Sequence, residues 1–174
     1  MQGRGWIGVA LGALLAVGWA SPAYASRGPS SSQIRAAIRK AERSRDLWAT
    51  VNICNTRRYP NAIGIRGQMP NLGFSASLAM RFGVDYWVIT KHQFQPVPHV
   101  SDSVSLGAAR SGLKQGGVRF KFGSHAGHLR GSVTFEWRLG RTLLGSITRK
   151  TSGGHSSADF GDPPHFSASQ CWIS

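Results

Sequence analysis

Apolar and polar residues alternate along most of the chain after residue 47, and a two-residue period predicts β-strands rather than helices. The clearest alternation covers residues 74–82 and 129–139. The second segment ends at Gly140-Arg141, a dipeptide suited to a two-residue hairpin turn into another strand over 142–149. Because side chains point alternately to the two faces of a strand, each segment presents one apolar face to a core.

Shorter segments with strand-like composition complete the pattern, at residues 47–54, 86–92, 103–107, 118–122 and 167–173. Loops rich in Pro or Gly are expected between some of them, notably at 95–99 and 152–165. Many short strands without intervening helices predict antiparallel sheets rather than an alternating α/β fold. We therefore expect an all-β fold, an antiparallel immunoglobulin-like β-sandwich of about eight strands over residues 47–174, with a small closed barrel as the alternative.

One segment ahead of the strands follows a helical period. Its narrow apolar stripe is made of Ile34, Ala37, Ile38 and Ala41, and Ser31 or Ser32 is suited to cap its start. The other faces are basic, with Arg35, Arg39, Lys40, Arg43 and Arg45. We expect a short basic helix over 33–46 that packs on the domain, because it lacks the bulky apolar anchors of a membrane-inserted helix.

The first 25 residues have the pattern of a cleavable signal peptide. Arg4 gives a basic start, residues 6–19 form an apolar run, and Ala23-Tyr24-Ala25 is a small-x-small cleavage site. The run is shorter than the ~20 residues that span a bilayer, which favours cleavage over a retained membrane anchor. We expect a secreted or otherwise extracytoplasmic protein that begins near Ser26, with a flexible lead over 26–32 and no later transmembrane segment.

Cysteine usage agrees with export. Cys54 and Cys171 are the only cysteines, and a single pair in an exported chain is most simply a structural disulfide. Such a bond would close a long loop and restrict the unfolded chain by on the order of 4 to 5 kcal/mol. The cysteines lie too far apart for the intersheet bond of an antibody domain, so we expect the disulfide to join the first and last strands.

The chain is strongly basic, with 21 Lys and Arg residues against 7 Asp and Glu residues. Without Arg4, the exported part keeps a net charge of about +13. This charge favours an anionic envelope polymer or surface as partner, without indicating specific recognition of nucleic acid, although it can equally reflect base composition of the genome. Arg57, Arg58 and Arg66 are the candidate anion-binding residues, because the first two share a loop with Tyr59.

No residue pattern identifies a reaction, so we expect a non-enzymatic protein without metal or cofactor. The run 73–77 lacks the final glycine of a nucleophile elbow. His155 and Asp159 lie in one loop with two serines, which keeps an extracellular hydrolase as the alternative function. His125 and His128 are the residue type that binds zinc, but they follow no recognised ligand spacing.

Aromatic residues allow two interpretations. Trp48, Trp87, Trp137 and Trp172, with Tyr59 and Tyr86, can form a platform for sugars or bases, or can fill the core. Trp137 shares the parity of Val133 and Phe135, which predicts that it is buried between two sheets.

Three runs in this sequence, LWATVNIC (47–54), NAIGIRGQMP (61–70) and SADFGDPPHFSASQC (157–171), resemble those of a group of uncharacterised secreted bacterial proteins with an immunoglobulin-like sandwich. The resemblance covers most of the exported part and implies that the three runs belong to one exported domain. It carries no activity and no catalytic residue. The sequence as a whole therefore predicts an exported binding or envelope-associated module of unknown ligand and oligomeric state.

Overall fold

The computed structural model describes residues 28–174, so the expected signal peptide at 1–25 and the first residues of the expected lead lie outside the described part. The elements in chain order are α1 (Ser31–Glu42), β1 (Trp48–Cys54), β2 (Ala62–Pro70), β3 (Ala76–Val88), a short 3₁₀ turn (Ile89–Lys91), β4 (Gln93–Ala109), β5 (Leu113–Lys121), β6 (Gly127–Leu139), β7 (Thr142–Lys150) and β8 (Cys171–Ile173). None of the helices in this part is long and apolar enough to cross a membrane.

The strands form two antiparallel sheets that pack face to face. The small sheet has the order β1-β2-β5, and the large sheet has the order β4-β3-β6-β7, with β8 also paired to β6. The expectation of an all-β antiparallel fold with eight strands and one preceding helix is confirmed. The core lies between the sheets, where the fully buried residues include Ile63, Ile65, Phe82, Phe135 and Trp137.

The helix differs from its expected bounds, because it starts at Ser31 and ends at Glu42 rather than covering 33–46. Ser30, not Ser31 or Ser32, is the N-cap: its hydroxyl accepts from the backbone N–H of Gln33, and the Gln33 side chain accepts from the Ser30 N–H. The buried residue Ile38 docks the helix on β7, since a Cβ at Gly145 would lie only 2.7 Å from it. A residue larger than glycine there would force the Ile38 side chain to shift.

Two segments, 86–92 and 95–99, differ from their predicted assignment. The segment 86–92 was expected as a separate strand, but β3 continues from Ala76 to Val88, and a turn follows. The expected loop at 95–99 lies inside β4, where residues 97–100 bulge between the partners of Gly83 and Asp85. Among the described strands β4 pairs only with β3, so Pro96 and Pro98 break no second ladder.

The strand β2 did not show in the alternation because two glycines interrupt it. Ile63, Ile65 and Met69 of β2 are fully buried, and Gly67 completes this inward face. A Cβ at Gly67 would lie 3.1 Å from both Met80 and Phe135 of the large sheet. A larger residue there would force Met80 or Phe135 to move by a few tenths of an ångström, so the close approach of the two sheets favours glycine.

The last two strands, β7 and β8, share one edge of β6. Lys150 of β7 pairs with Ser132, and Cys171 of β8 pairs with Leu129, on the side of β6 opposite β3. Between them the chain leaves the sheet over residues 152–170, which we call the excursion loop. The buried Thr151 closes its base, since its hydroxyl donates to the carbonyl of Ser169 at 2.6 Å and accepts from the N–H of Gly131 at 3.0 Å.

The disulfide joins the first and last strands, as the cysteine spacing predicted. The Cα atoms of Cys54 and Cys171 are 5.3 Å apart. Cys171 is buried, whereas Trp172 beside it is 64 % exposed. The bond thus fixes the end of β1, and the loop that follows it, against the end of the large sheet.

We expect Trp137→Ala to lower the free energy of unfolding by about 3 to 5 kcal/mol, because the substitution opens a large cavity. Trp137 is fully buried, and its indole N–H donates to the carbonyl of Pro70 at 2.8 Å, so the neighbouring carbonyl also loses its partner. Urea denaturation followed by circular dichroism measures the effect. Leu143→Ala on β7, where the side chain is 46 % exposed, is the control and should change stability far less. Equal midpoints for the two variants would contradict this packing.

Candidate anion-binding site

The outward face of the small sheet carries two arginines placed diagonally across β2 and β5. Arg66 of β2 pairs with Gly117, and Arg119 of β5 pairs with Gly64. Each arginine therefore faces a glycine, and diagonal neighbours on adjacent strands are about 7 to 8 Å apart. The Arg66 side chain crosses over Gly117, since a Cβ there would lie 2.9 Å from its Nε atom.

Tyr59 stands between two guanidinium groups at the edge of this face. The Cζ atom of Arg119 lies 4.3 Å from the centre of the Tyr59 ring, and that of Arg58 lies 5.2 Å from it. Both distances are within the range of cation–π attraction, which holds the planar groups close to the ring. Arg58 and Arg119 are exposed, so their N–H groups remain accessible to an anion.

Arg57 extends the basic surface along the loop between β1 and β2. It lines a shallow depression of about 440 Å³ together with Thr56, Arg58 and Asp162. The Thr56 hydroxyl donates to the Asp162 carboxylate, and this bond fixes the β1–β2 loop to the excursion loop. The expected pair of arginines after Cys54 is thus presented on an anchored loop.

The side chain of Arg66 is more enclosed than those of Arg57, Arg58 and Arg119. Its Cζ atom lies 5.0 Å from the centre of the Phe160 ring, and its buried Nε atom has no hydrogen-bond partner in the described residues. Burial lowers the pKa of Arg66, and the neighbouring carboxylate of Asp159 opposes part of this effect. The side chain remains a cation, since arginine keeps its proton in proteins. We refer to Arg57, Arg58, Arg66 and Arg119 as the arginine face.

The excursion loop covers the rest of the polar face of the small sheet. The buried Asn52 donates to the carbonyls of Asp159 and Phe160, at 2.9 and 3.3 Å. Gln115 donates to the carbonyl of Ser157 and accepts from the N–H of Asp159, each at 3.0 Å. These bonds to strand side chains position a loop that has little regular structure of its own.

His155 anchors the start of the excursion loop. Its ring stacks on the buried Trp48, with centres 4.7 Å apart and an angle of 11° between the planes. Its Nε2 atom lies 3.0 Å from the hydroxyl of Ser152, and its backbone N–H donates to Ser167. No hydrogen bond joins His155 to Asp159 within the described residues. The two residues of the hydrolase alternative are therefore held by different contacts.

A second aromatic surface lies on the outer face of the large sheet. Four rings from four strands lie side by side there: Phe94 of β4, Trp87 of β3, His128 of β6 and Trp172 of β8. His128 and Trp172 are stacked, with centres 4.3 Å apart and planes at 11°. We call these four residues the aromatic row. The predicted platform exists only in part, since Trp48 and Trp137 are buried elsewhere.

The structure brings the three predicted arginines to one side of the small sheet and adds Arg119, which the sequence did not single out. Strand parity showed that Arg119 points outward, but its neighbours became evident only with the pairing of β2 and β5. Ion pairs within residues 28–174 involve only the carboxylates of Asp85 and Glu136, both on the large sheet. The arginine face therefore has no ion-pair partner in the described residues.

Comparisons with known proteins add no family to this geometry. No family model, curated protein or solved structure matches the chain. Within residues 28–174, no group of three or more His, Cys, Asp and Glu side chains is arranged to hold a metal ion.

We expect the free energy of unfolding to decrease as the pH falls, and we expect His155 to cause part of this decrease. Burial lowers the pKa of His155 below its ordinary value of 6.5, so the folded state favours the neutral ring. The stabilising contribution is complete above 6.5 and is lost as the pH falls below it. In urea denaturation at pH values from about 7 down to about 5, the wild type should lose more stability than His155→Gln. Parallel pH profiles for the two proteins would contradict this account.

Proposed function

We propose that this protein is an exported, non-enzymatic module that binds an anionic polymer of the cell envelope or its surroundings through the arginine face. The observation that carries the proposal is the placement of Arg58 and Arg119 beside Tyr59, exposed and without carboxylate partners in the described residues. Guanidinium groups oriented by an aromatic ring offer fixed pairs of donors to phosphate or carboxylate.

The basic composition supports a polymeric rather than a small anion. The exposed residues Arg35, Arg39 and Lys40 of α1 form a second basic surface on another side of the molecule. A long polyanion can contact more than one such surface, and the net charge speeds its encounter with the protein. Exposed charges are screened over about 8 Å at physiological ionic strength, so this binding is expected to weaken as salt rises.

We further propose that the fold is immunoglobulin-like and belongs to an exported protein. The orders β1-β2-β5 and β3-β6-β7 correspond to the A-B-E and C-F-G strands of an immunoglobulin domain, with β4 at the edge of the second sheet. The Cys54–Cys171 disulfide is compatible with an oxidising compartment, as is the signal-like sequence of residues 1–25. Membership of a secreted bacterial group is a proposal on the same basis.

The double variant Arg58→Ala/Arg119→Ala tests the proposal. Each arginine near an anionic surface contributes on the order of 1 kcal/mol, and 1.4 kcal/mol corresponds to a tenfold change in affinity. We therefore expect the dissociation constant for polyphosphate to rise roughly tenfold or more. Isothermal titration calorimetry at several salt concentrations measures it.

The matched control is Arg110→Ala/Lys114→Ala, which removes the same charge from exposed positions at the other end of β5. If both double variants weaken binding equally, the net charge rather than the arginine face is responsible. Tight polyphosphate binding that persists at high salt would also overturn the proposal, because contacts between exposed charges weaken as salt rises.

The hydrolase alternative is favoured by one contact, the 3.0 Å separation of Ser152 Oγ and His155 Nε2, which is the arrangement of a serine nucleophile and its base. If this pair is catalytic, a fluorophosphonate probe should label Ser152, and His155→Ala should abolish the labelling. The binding proposal instead expects no labelling above that of Ser152→Ala. Intact-mass spectrometry distinguishes the two results.

A further inference from the structure

The aromatic row exposes a large ring at a place where the fold has no evident need of one. Trp172 is 64 % exposed, although both of its neighbours in β8, Cys171 and Ile173, are buried. One face of the indole stacks on His128, so the exposed surface includes the opposite face. An indole is amphipathic, with a negative ring face that attracts positively polarised groups.

The Trp172 ring already packs against a supported neighbour on one face before any ligand arrives. His128 supports it from one side, and the His128 Nε2 atom is hydrogen-bonded to the side chain of Gln170. Phe94 meets His128 edge-on at 5.1 Å and meets Trp87 at the same distance. Because these neighbours already limit the rotamers of Trp172 and His128, a ligand that stacks there pays little ordering entropy.

The side chains next to the row are polar and carry one positive charge in excess. Asp85 is 3 % exposed and pairs with both Arg130, at 3.1 Å, and Lys150, at 2.7 Å. Two cations around one carboxylate leave a surplus of one. Arg130 also lies 4.3 Å above the ring of Phe94, and its Nε atom has no hydrogen-bond partner in the described residues.

The spacing of these groups fits a short chain of acidic sugars rather than a single ring, because Arg130 lies over Phe94, on the other side of His128 from Trp172. His128 and Arg130 lie two residues apart on the same face of β6, a step of about 7 Å. Gln170 precedes β8 beside them and offers an amide N–H₂ group for a hydroxyl. A sugar ring presents C–H bonds on its flat face and hydroxyls around its rim, which suits an indole face bordered by polar side chains.

From these contacts we propose that the aromatic row is a binding site for an acidic polysaccharide, with one sugar ring stacked on the free face of Trp172 and the carboxylate of another ring of the same chain near Arg130. This site is separate from the arginine face, so the proposal does not depend on whether that face binds polymers. The charge surplus at Asp85, Arg130 and Lys150 selects a carboxylate-bearing sugar over a neutral one.

The test uses trigalacturonate, an oligosaccharide too short to rely on many scattered charges. We expect it to shift the indole N–H resonance of Trp172 in the purified protein. Trp172→Ala should weaken binding about tenfold or more, and Trp172→Phe should restore most of it. The control Phe160→Ala removes an aromatic side chain that is 80 % exposed beside the arginine face, and it should change the affinity less than twofold.

Three results would overturn the proposal: wild-type affinity in a folded Trp172→Ala variant, equal affinity for neutral maltotriose, or tighter Trp172-dependent binding of oligo(dT) than of trigalacturonate. The last would indicate stacking of bases instead of sugars. Failure of the arginine-face proposal can be distinguished from failure of this one, because Arg58→Ala/Arg119→Ala should leave trigalacturonate binding unchanged. Conversely, Trp172→Ala should leave polyphosphate binding unchanged.

Discussion

Two separate pieces of chain share one edge of β6, and the buried hydroxyl of Thr151 holds them together. It bonds to Gly131 of β6 and to Ser169 at the end of the excursion loop, so β7 and β8 run along one line although the loop separates them. This closure places His155 and Phe160 over the small sheet and returns the chain to the large sheet at Cys171. The disulfide to Cys54 then fixes the loop that carries Arg57 and Arg58 to the end of the large sheet. Both proposed binding surfaces therefore depend on the hydrogen bonds of Thr151 that close the base of the excursion loop.

The sequence best predicted the strands that have one buried face and one exposed face. The hairpin of β6 and β7 follows from the alternation up to Leu139 and from Gly140, whose positive φ of 57° suits the turn. The prediction was wrong where packing overrode local signals. Gly67 weakens the strand pattern of β2, yet the close approach of Phe135 favours glycine there. Pro96 signals a loop, yet an edge strand tolerates it.

The candidate site was predictable only as separate pieces. Arg57 and Arg58 were evident from their loop, because local sequence shows their proximity to Tyr59. Arg119 was not, since its approach to Tyr59 depends on the pairing of β2 with β5 and on the loop at 55–61. The aromatic row joins residues from four strands, and the order of strands in a sheet cannot be obtained from alternation. Side-chain parity is a local property, whereas adjacency across strands is a property of the whole fold.

Because the base of the excursion loop is closed, the geometry of the sheets does not depend on the length of the loop. Because its ends are joined at Thr151 and Ser169, residues can be added or removed within the loop without shifting the register of β6. The two sheets thus act as a fixed frame, and the loop is the part in which chains built on this frame can diverge. Variation there changes what covers the small sheet while the disulfide and the core stay the same.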